Sequence, residues 1–276
     1  MKLRLQDDRI LTFPPMKVMG ILNLTPDSFY ARSRVPSHEE AVLRAKKMIE
    51  DGAEILDIGG ESSRPGSDPV SPEEEISRIV PVIRALKRAF PETLLSVDTY
   101  HSATIEAALT AGADIANDIT ALADPAYAKI VSEADAPVIL MHMQGEPKTM
   151  QENPHYDDVV EDVLDFLKER ADRALASGIA KDRIMIDPGI GFGKTYEQNM
   201  ELIRNIDRFH VLELPVLLAV SRKTFIGKAL GLPDPKDRLE GTMAVSAWAA
   251  TNGIEMIRVH DVLENTRIVR MMEEII

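Results

Sequence analysis

The sequence contains no cysteine, and this absence excludes several kinds of chemistry at once. A chain without thiols has no disulfide bonds, no thiolate metal site and no cysteine nucleophile. Its six histidines are scattered and lack the paired spacing of a helical zinc motif such as HExxH. We therefore expect no zinc centre.

Long apolar runs and excess positive charge are also missing. The chain has no apolar stretch of about 18 residues, and its first eight residues are too charged for a secretory signal. The formal net charge is −13, whereas binding to nucleic acid requires clusters of basic side chains. We expect a cytoplasmic protein that binds neither nucleic acid nor membranes. An anionic small molecule is still possible wherever a few cations converge.

What the sequence does contain is a repeated unit, a short aliphatic run followed by an amphipathic helical pattern. The predicted strands cover residues 17–22, 54–58, 94–97, 115–116, 137–141, 183–186, 215–220 and 255–259. Eight such units without a linker or a change of composition predict an α/β protein of one domain, with a (β/α)8 TIM barrel over 16–276. The alternative is an open doubly wound sheet, which would concentrate ligand contacts at one switch point.

Residues 1–15 precede this barrel. Two short alternating segments, 3–5 and 10–13, are joined at Asp7 and Asp8. The pattern predicts a β-hairpin, which we expect to close the amino-terminal mouth of the barrel.

Polar residues follow every predicted strand. These strand-end residues include Asn23, Glu61, Asp98, Asn117, Asp118, His142, Asp187, Ser221 and His260. In a barrel the carboxyl ends of the parallel strands surround one mouth, where the active sites of this fold lie. The sequence therefore predicts a polar site at that mouth.

Cations are concentrated after the last two strands. Arg222 and Lys223 follow the seventh strand, Arg258 and His260 end the eighth, and Arg64 lies in a long loop. Phosphate sites of TIM barrels are often built by these two neighbouring strands. Because Arg258 and His260 are two residues apart, strand alternation points them to the same side. We predict an anion site, with an ordinary solvated surface as the alternative.

Acceptor groups follow strands on the opposite arc. Asp98, Asn117 and Asp187 supply two carboxylates and one amide. A carboxylate that accepts two N–H bonds matches the edge of a planar ligand such as an aminopyrimidinone. The spacing alone does not require that ligand, and capping or loop-tying roles are the alternative.

The segment 189–195, GIGFGKT, looks like a phosphate-binding P-loop but does not fit the pattern. A Walker motif needs four residues between its glycines, and here Gly189 and Gly193 enclose three. We reject that interpretation. The glycines instead favour close approach of the backbone to a flat ligand, with Phe192 turned toward it.

Taken together, these motifs resemble the dihydropteroate synthase family from about residue 17 to the carboxyl terminus. The matching segments are 20–29, 59–66, 96–99, 117–118, 187–194, 221–223 and 258–260. The resemblance implies a TIM-barrel transferase of folate biosynthesis, a target of sulfonamides, that condenses a dihydropterin diphosphate with p-aminobenzoate. It also implies Mg²⁺, a dissociative mechanism and a homodimer formed through the late helices.

The resemblance also implies roles for individual residues. The pterin would contact Asp98, Asn117, Met141, Asp187, Gly191, Phe192 and Lys223. The diphosphate would contact Asn23, Arg64, Arg258 and His260, with Asn23 also binding Mg²⁺. The p-aminobenzoate pocket would contain Phe29, Ser63, Arg64, Pro65, Phe192, Lys223 and Thr224. The catalytic residues would be Asp98, Asp187, Lys223, Arg258 and His260.

The chain departs from the family pattern immediately after Phe29. A loop carboxylate is usual where Ala31 stands, and our hypothesis is that Arg32 or Arg34 reaches the diphosphate instead. Three other functions are alternatives: a methyltetrahydrofolate-type methyltransferase domain, a non-catalytic pterin-binding paralogue, and a Schiff-base aldolase that uses Lys223.

Overall fold

The computed structural model describes residues 1–25, 38–62 and 66–276. Several sequence predictions fall outside these ranges and stay predictions. They concern Phe29, Ala31, Arg32, Arg34, Ser63, Arg64 and Pro65.

Ten strands are formed within the described residues. They are β1 (Lys2–Arg4), β2 (Ile10–Thr12), β3 (Lys17–Asn23), β4 (Ile55–Gly59), β5 (Leu94–Asp98), β6 (Ile115–Asp118), β7 (Val138–Met141), β8 (Ile184–Asp187), β9 (Leu217–Ala219) and β10 (Met256–Val259). Strands β3 to β10 pair in parallel in the order β8-β7-β6-β5-β4-β3-β10-β9. A parallel bridge between Ile186 and Val216 joins the two ends of this sheet. The ring confirms the predicted TIM barrel and excludes the open sheet.

Helices alternate with the barrel strands. Their bounds are α1 (His38–Glu50), α2 (Pro72–Ala89), α3 (Ser102–Ala111), α4 (Pro125–Glu133), α5 (Val159–Ala176), α6 (Tyr196–Arg204), α7 (Thr224–Leu230), α8 (Leu239–Thr251) and α9 (Val262–Ile275). Local chemistry fixes several starts: Ser71 accepts a hydrogen bond from the Glu74 amide at 3.3 Å, and Asp124 accepts one from Ala126 at 2.9 Å. Within the described residues, every helix is too short or too polar to span a bilayer.

The amino-terminal hairpin fills the bottom of the barrel, as predicted. Strands β1 and β2 pair antiparallel, and Leu3, Leu5 and Phe13 are buried. These three side chains pack on one inward residue from each barrel strand, namely Met19, Ile55, Leu94, Ile115, Ile139, Met185, Leu217 and Met256. Arg183 adds a hydrogen bond of 2.7 Å to the carbonyl of Leu5. The bottom of the barrel is therefore an apolar plug.

Strand alternation places polar side chains at the other end. Side chains alternate between the two faces of a strand, so the residues two and four positions after each inward residue at the bottom also face the barrel axis. On β5 the series runs from Leu94 to Asp98, and on β10 it runs from Met256 through Arg258. The carboxyl-end mouth is consequently lined by charged and amide groups.

Candidate active site

A cavity of about 1110 Å³ opens at the carboxyl ends of the barrel strands. Every predicted site residue that the structure describes lines it: Asn23, Asp98, Asn117, Met141, Asp187, Gly191, Phe192, Lys223, Thr224, Arg258 and His260. A cavity of this size holds a drug-sized ligand. The structure thus brings the predicted residues together, while their individual roles stay predictions.

The floor of the cavity is an ion-pair cluster centred on Arg258. Its Nε donates to Asp57 Oδ2 at 2.5 Å, and its Nη2 donates to Asp98 Oδ2 at 2.6 Å. The amide of Asn117 donates to the same oxygen of Asp57 at 3.3 Å. Asp57 is fully buried, so Arg258 pairs with two carboxylates in a place with little water.

Burial and pairing shift the ionisation of this cluster in opposite directions. Burial raises the pKa of Asp98 to about 7, and the nearby guanidinium of Arg258 opposes that shift. Burial also acts to lower the pKa of Arg258, but Asp57 and Asp98 outweigh it, so the net shift is upward. Arg258 is therefore a permanent cation, whereas Asp98 titrates near neutral pH.

Asp187 forms part of the cavity wall at the end of β8. Its Oδ1 accepts a hydrogen bond of 2.7 Å from the Gly189 amide, while Oδ2 has no hydrogen-bond partner among the described residues. Burial raises the pKa of this carboxyl, and Lys223 acts against the increase. One oxygen is thus fixed by the protein, and the other is available to a ligand.

Lys223 lies at the start of α7 and reaches into the same wall. Its Nζ donates a short hydrogen bond to the Ile190 carbonyl and lies 4.6 Å from the centre of the Phe192 ring. Burial lowers the pKa of Lys223 to about 8, and Asp187 opposes that change. The amine and the ring together form an edge suited to a flat, polar ligand.

His260 follows β10 at the rim, where Ser221 fixes its ring. The Ser221 hydroxyl lies 2.9 Å from His260 Nδ1 and accepts a hydrogen bond of 3.1 Å from the His260 amide. Arg258 on β10 and His260 just after it both line the cavity, as strand alternation predicts.

The side chains of Arg222, Asp118 and His142 are engaged elsewhere. The guanidinium of Arg222 pairs with Asp261 at 2.7 Å and donates to the carbonyls of Pro235 and Lys236, so it ties loops together. Asp118 accepts hydrogen bonds from the backbone of its own loop, and His142 lies outside the barrel against Lys194. Asp118 and His142 each follow an inward residue and therefore point outward.

The inward position of Asp57 was not predicted from the sequence. Asp57 lies in the middle of the apolar run of β4, and the run was interpreted as a strand without a site residue. A carboxylate two residues after the inward Ile55 was the available signal, because the same alternation points it into the barrel.

A second polar cluster lies beside the cavity. Among the described residues, the possible metal-ligating atoms of Glu61, Glu75 and His101 lie within 4.8 Å of one another. These groups already bind each other and their neighbours: Glu61 lies 3.1 Å from His101 Nε2, and Glu75 accepts a hydrogen bond of 2.7 Å from Thr99. The contacts connect the loops after β4 and β5.

The fold and the cavity at its carboxyl-end mouth are those of a TIM-barrel enzyme. The sequence profile described as "Pterin binding enzyme" matches residues 19–260. Curated relatives include the dihydropteroate synthase of Escherichia coli (strain K12), 45% identical over 93% of this chain and 90% of the relative. The enzyme of the same name from Clostridium beijerinckii is 44% identical over 94% of each chain.

Solved structures of dihydropteroate synthases superpose closely on this chain. The Yersinia pestis dihydropteroate synthase, in a sulfonamide drug complex, superposes with a TM-score of 0.94 and 41% identity, covering 100% of this chain and 99% of the other. The Xanthomonas albilineans enzyme with 4-aminobenzoic acid gives 0.93 and 41%, covering 100% and 98%. The chain belongs to the pterin binding enzymes and, within them, to the dihydropteroate synthase family of transferases.

Proposed function

We propose that this protein condenses 6-hydroxymethyl-7,8-dihydropterin diphosphate with p-aminobenzoate to give 7,8-dihydropteroate and diphosphate. The observation that carries the proposal is the placement of Arg258 and Lys223 beside Asp98, Asn117 and Asp187 in one cavity. Such a cavity combines hydrogen-bonding groups for a pterin with cations for a leaving diphosphate. Family membership supports the same reaction.

The pterin would bind against the inner wall. Asp187 Oδ2 would accept hydrogen bonds from the ring edge, because its partner oxygen is already held by the Gly189 amide. Asn117 and Lys223 would contact other polar atoms of the ring, and Met141 would pack against its face. A flat heterocycle fits between these groups and the Gly191 backbone.

The diphosphate would face the rim, near Arg258 and His260. When the C–O bond to the methylene carbon breaks, the electron pair leaves with the diphosphate, whose negative charge increases. Cations that already point at that oxygen lower the barrier. Arg64, which is not among the described residues, is predicted to contact the diphosphate as well.

The proposed mechanism is dissociative: the carbon–oxygen bond breaks before the amine attacks, and a pterin-stabilised cation is left. The carboxylates of Asp98 and Asp187 would offset its charge. The nitrogen of p-aminobenzoate then forms a bond to the methylene carbon and loses a proton. The amine would enter past Phe192 and Thr224, with Phe29, Ser63 and Pro65 predicted as the remaining contacts.

The residues around Asn23 fit the Mg²⁺ that the family resemblance implies. A Cβ placed on Gly59 would stand 3.4 Å from Asn23 Oδ1 and 3.9 Å from Asp98 Oδ2, so both oxygens lie beside Gly59. The Asn23 side chain has no hydrogen-bond partner among the described residues. Mg²⁺ usually binds few protein oxygens together with substrate phosphates. When bound, the ion would neutralise charge on the diphosphate.

The homodimer is likewise a proposal. Leu230, Trp248 and Met271, on α7, α8 and α9, expose apolar side chains. A second copy of the chain would cover these late helices, and sedimentation at several concentrations would measure the association.

Product analysis tests the proposed reaction against its alternatives. The protein is incubated with Mg²⁺, the pterin diphosphate and ring-deuterated p-aminobenzoate, and products are identified by mass. Deuterated dihydropteroate is the expected product, and its absence contradicts the proposal. Borohydride trapping of a carbonyl substrate on Lys223 would instead support the aldolase, and methyl transfer from methyltetrahydrofolate would support the methyltransferase.

A further inference from the structure

The loop 189–193 after β8 is the first part of the segment that looks like a P-loop, but the lysine that follows it, Lys194, is buried in the protein. Lys194 is only 2% exposed. Its Nζ donates to the carbonyls of Gly189 and Phe192, each at 2.9 Å, and lies 2.8 Å from His142 Nδ1. The amine of Lys194 is therefore held beneath the loop by protein atoms.

These three contacts are satisfied in either protonation state of Lys194. An ammonium donates to two carbonyls and to Nδ1 of the imidazole, whereas a neutral amine donates to the carbonyls and accepts from Nδ1–H. Burial lowers the pKa of Lys194 well below its ordinary value and lowers that of His142 to about 2, so the imidazole is neutral in both cases. The contact is a geometric anchor that does not depend on charge.

The anchored loop also packs tightly on the chain that follows β7. Gly189 and Gly193 have φ of +66° and +61°, and a Cβ on them would stand 1.8 Å and 2.3 Å from the carbonyl oxygens of His142 and Gln144. Only glycine fits at these two positions, because both the backbone conformation and the space exclude a side chain. Lys194 connects the two segments at this contact, because its amine binds both the Gly189 carbonyl and the His142 ring.

The other face of the loop forms the cavity wall. The Gly189 amide fixes Asp187, the Ile190 carbonyl accepts from Lys223, and the Phe192 ring packs on the same amine. A shift of the loop backbone therefore moves three groups of the wall together.

We propose that Lys194 is a positioning residue for the pterin subsite: it anchors the carbonyls of Gly189 and Phe192 and thereby sets the orientation of Asp187, Lys223 and Phe192. The inference rests on the proposed function, because it assigns the pterin to this wall. It gives the GIGFGKT segment a role that phosphate binding does not.

The test uses two probes that separate the two subsites, 6-hydroxymethylpterin for the wall and inorganic diphosphate for the rim, both measured by calorimetry. In Lys194→Met the pterin Kd should rise about tenfold, because buried carbonyls lose their donor, while the diphosphate Kd stays within about twofold. Lys194→Gln retains a donor and should show a smaller rise. Lys129→Met removes the charge of a side chain that is 73% exposed on α4 and should change neither constant.

Unchanged pterin affinity in Lys194→Met overturns the proposal, and so does an equal loss for both probes, which would indicate general destabilisation. If that variant does not fold, Tyr156→Phe replaces it, because the Tyr156 hydroxyl donates to Gly193 at 2.7 Å in the same loop. A pterin-selective loss of about threefold supports the anchor, and no change overturns it. Failure of the unaltered protein to bind 6-hydroxymethylpterin would overturn the proposed function itself.

Discussion

Arg258 on β10 donates a hydrogen bond of 2.5 Å to Asp57 on β4, two strands away in the barrel ring. The pair ties Arg258, which we propose contacts the diphosphate, to the buried floor of the cavity. The other oxygen of Asp57 has no hydrogen-bond partner among the described residues. An incompletely satisfied buried carboxylate of this kind is unfavourable for stability and is typical of functional sites.

Asp57→Asn should weaken both the fold and the placement of Arg258. Loss of one partner of a buried ion pair destabilises a protein by about 3 kcal/mol. Urea unfolding of Asp57→Asn, Arg258→Met and the double variant measures the coupling between them. Additive changes in the free energy of unfolding would contradict a direct interaction.

The two halves of the cavity should respond separately to substitution. Asp187→Ala should weaken 6-hydroxymethylpterin binding by at least about tenfold, because the ring edge loses a charged acceptor. Arg258→Ala should weaken inorganic diphosphate binding by a similar factor. Calorimetry on both variants with both ligands checks this; unchanged affinities for the assigned ligands would refute the site.

The pH dependence of kcat/KM for the pterin diphosphate should be bell-shaped. Asp98, with a pKa of about 7, is ionised only above that pH, so activity falls as the pH drops through it. Lys223, with a pKa of about 8, is protonated only below that pH, so activity falls as the pH rises through it. The maximum therefore lies between these two values.

Variants identify the two limbs of that profile. Lys223→Arg should lose the alkaline limb, because a guanidinium stays protonated. Asp98→Asn should lose the acid limb together with much of the activity. If both variants keep the two limbs of the unaltered protein, groups other than Asp98 and Lys223 cause them.

The amino-terminal plug should stabilise the barrel without affecting binding. Leu3→Ala leaves a cavity among the bottom residues and should lower the free energy of unfolding by about 3 kcal/mol. Ile10→Ala, at a side chain that is 49% exposed on β2, should change it by less than about 0.5 kcal/mol. Denaturation and pterin calorimetry measure both effects, and a weaker pterin Kd in Leu3→Ala would be inconsistent with a plug remote from the site.

Much of this site could be predicted because parallel strands end at one mouth. Asn23, Asp98 and Asp187 each follow an apolar run, so strand order alone brings them together. Strand ends were less predictable: residues 115–116 were predicted for β6, but Asn117 and Asp118 continue the ladder because β5 and β7 still pair with them.

Partner choice was not predictable from local sequence. Arg258 was predicted to contribute to an anion site, and its pairing with Asp57 was not predicted, because the position of Asp57 in the barrel depends on the whole ring. Similarly, Arg222 pairs with Asp261 because the loops after β9 and β10 are adjacent in space. Such pairs are properties of the tertiary structure.

The most direct test of the proposed condensation is diphosphate release measured with and without p-aminobenzoate, in the presence of Mg²⁺ and the pterin diphosphate. Rapid release that saturates with the amine and yields one dihydropteroate per diphosphate is the predicted result. Release that does not depend on the amine, or no release at all, would contradict it.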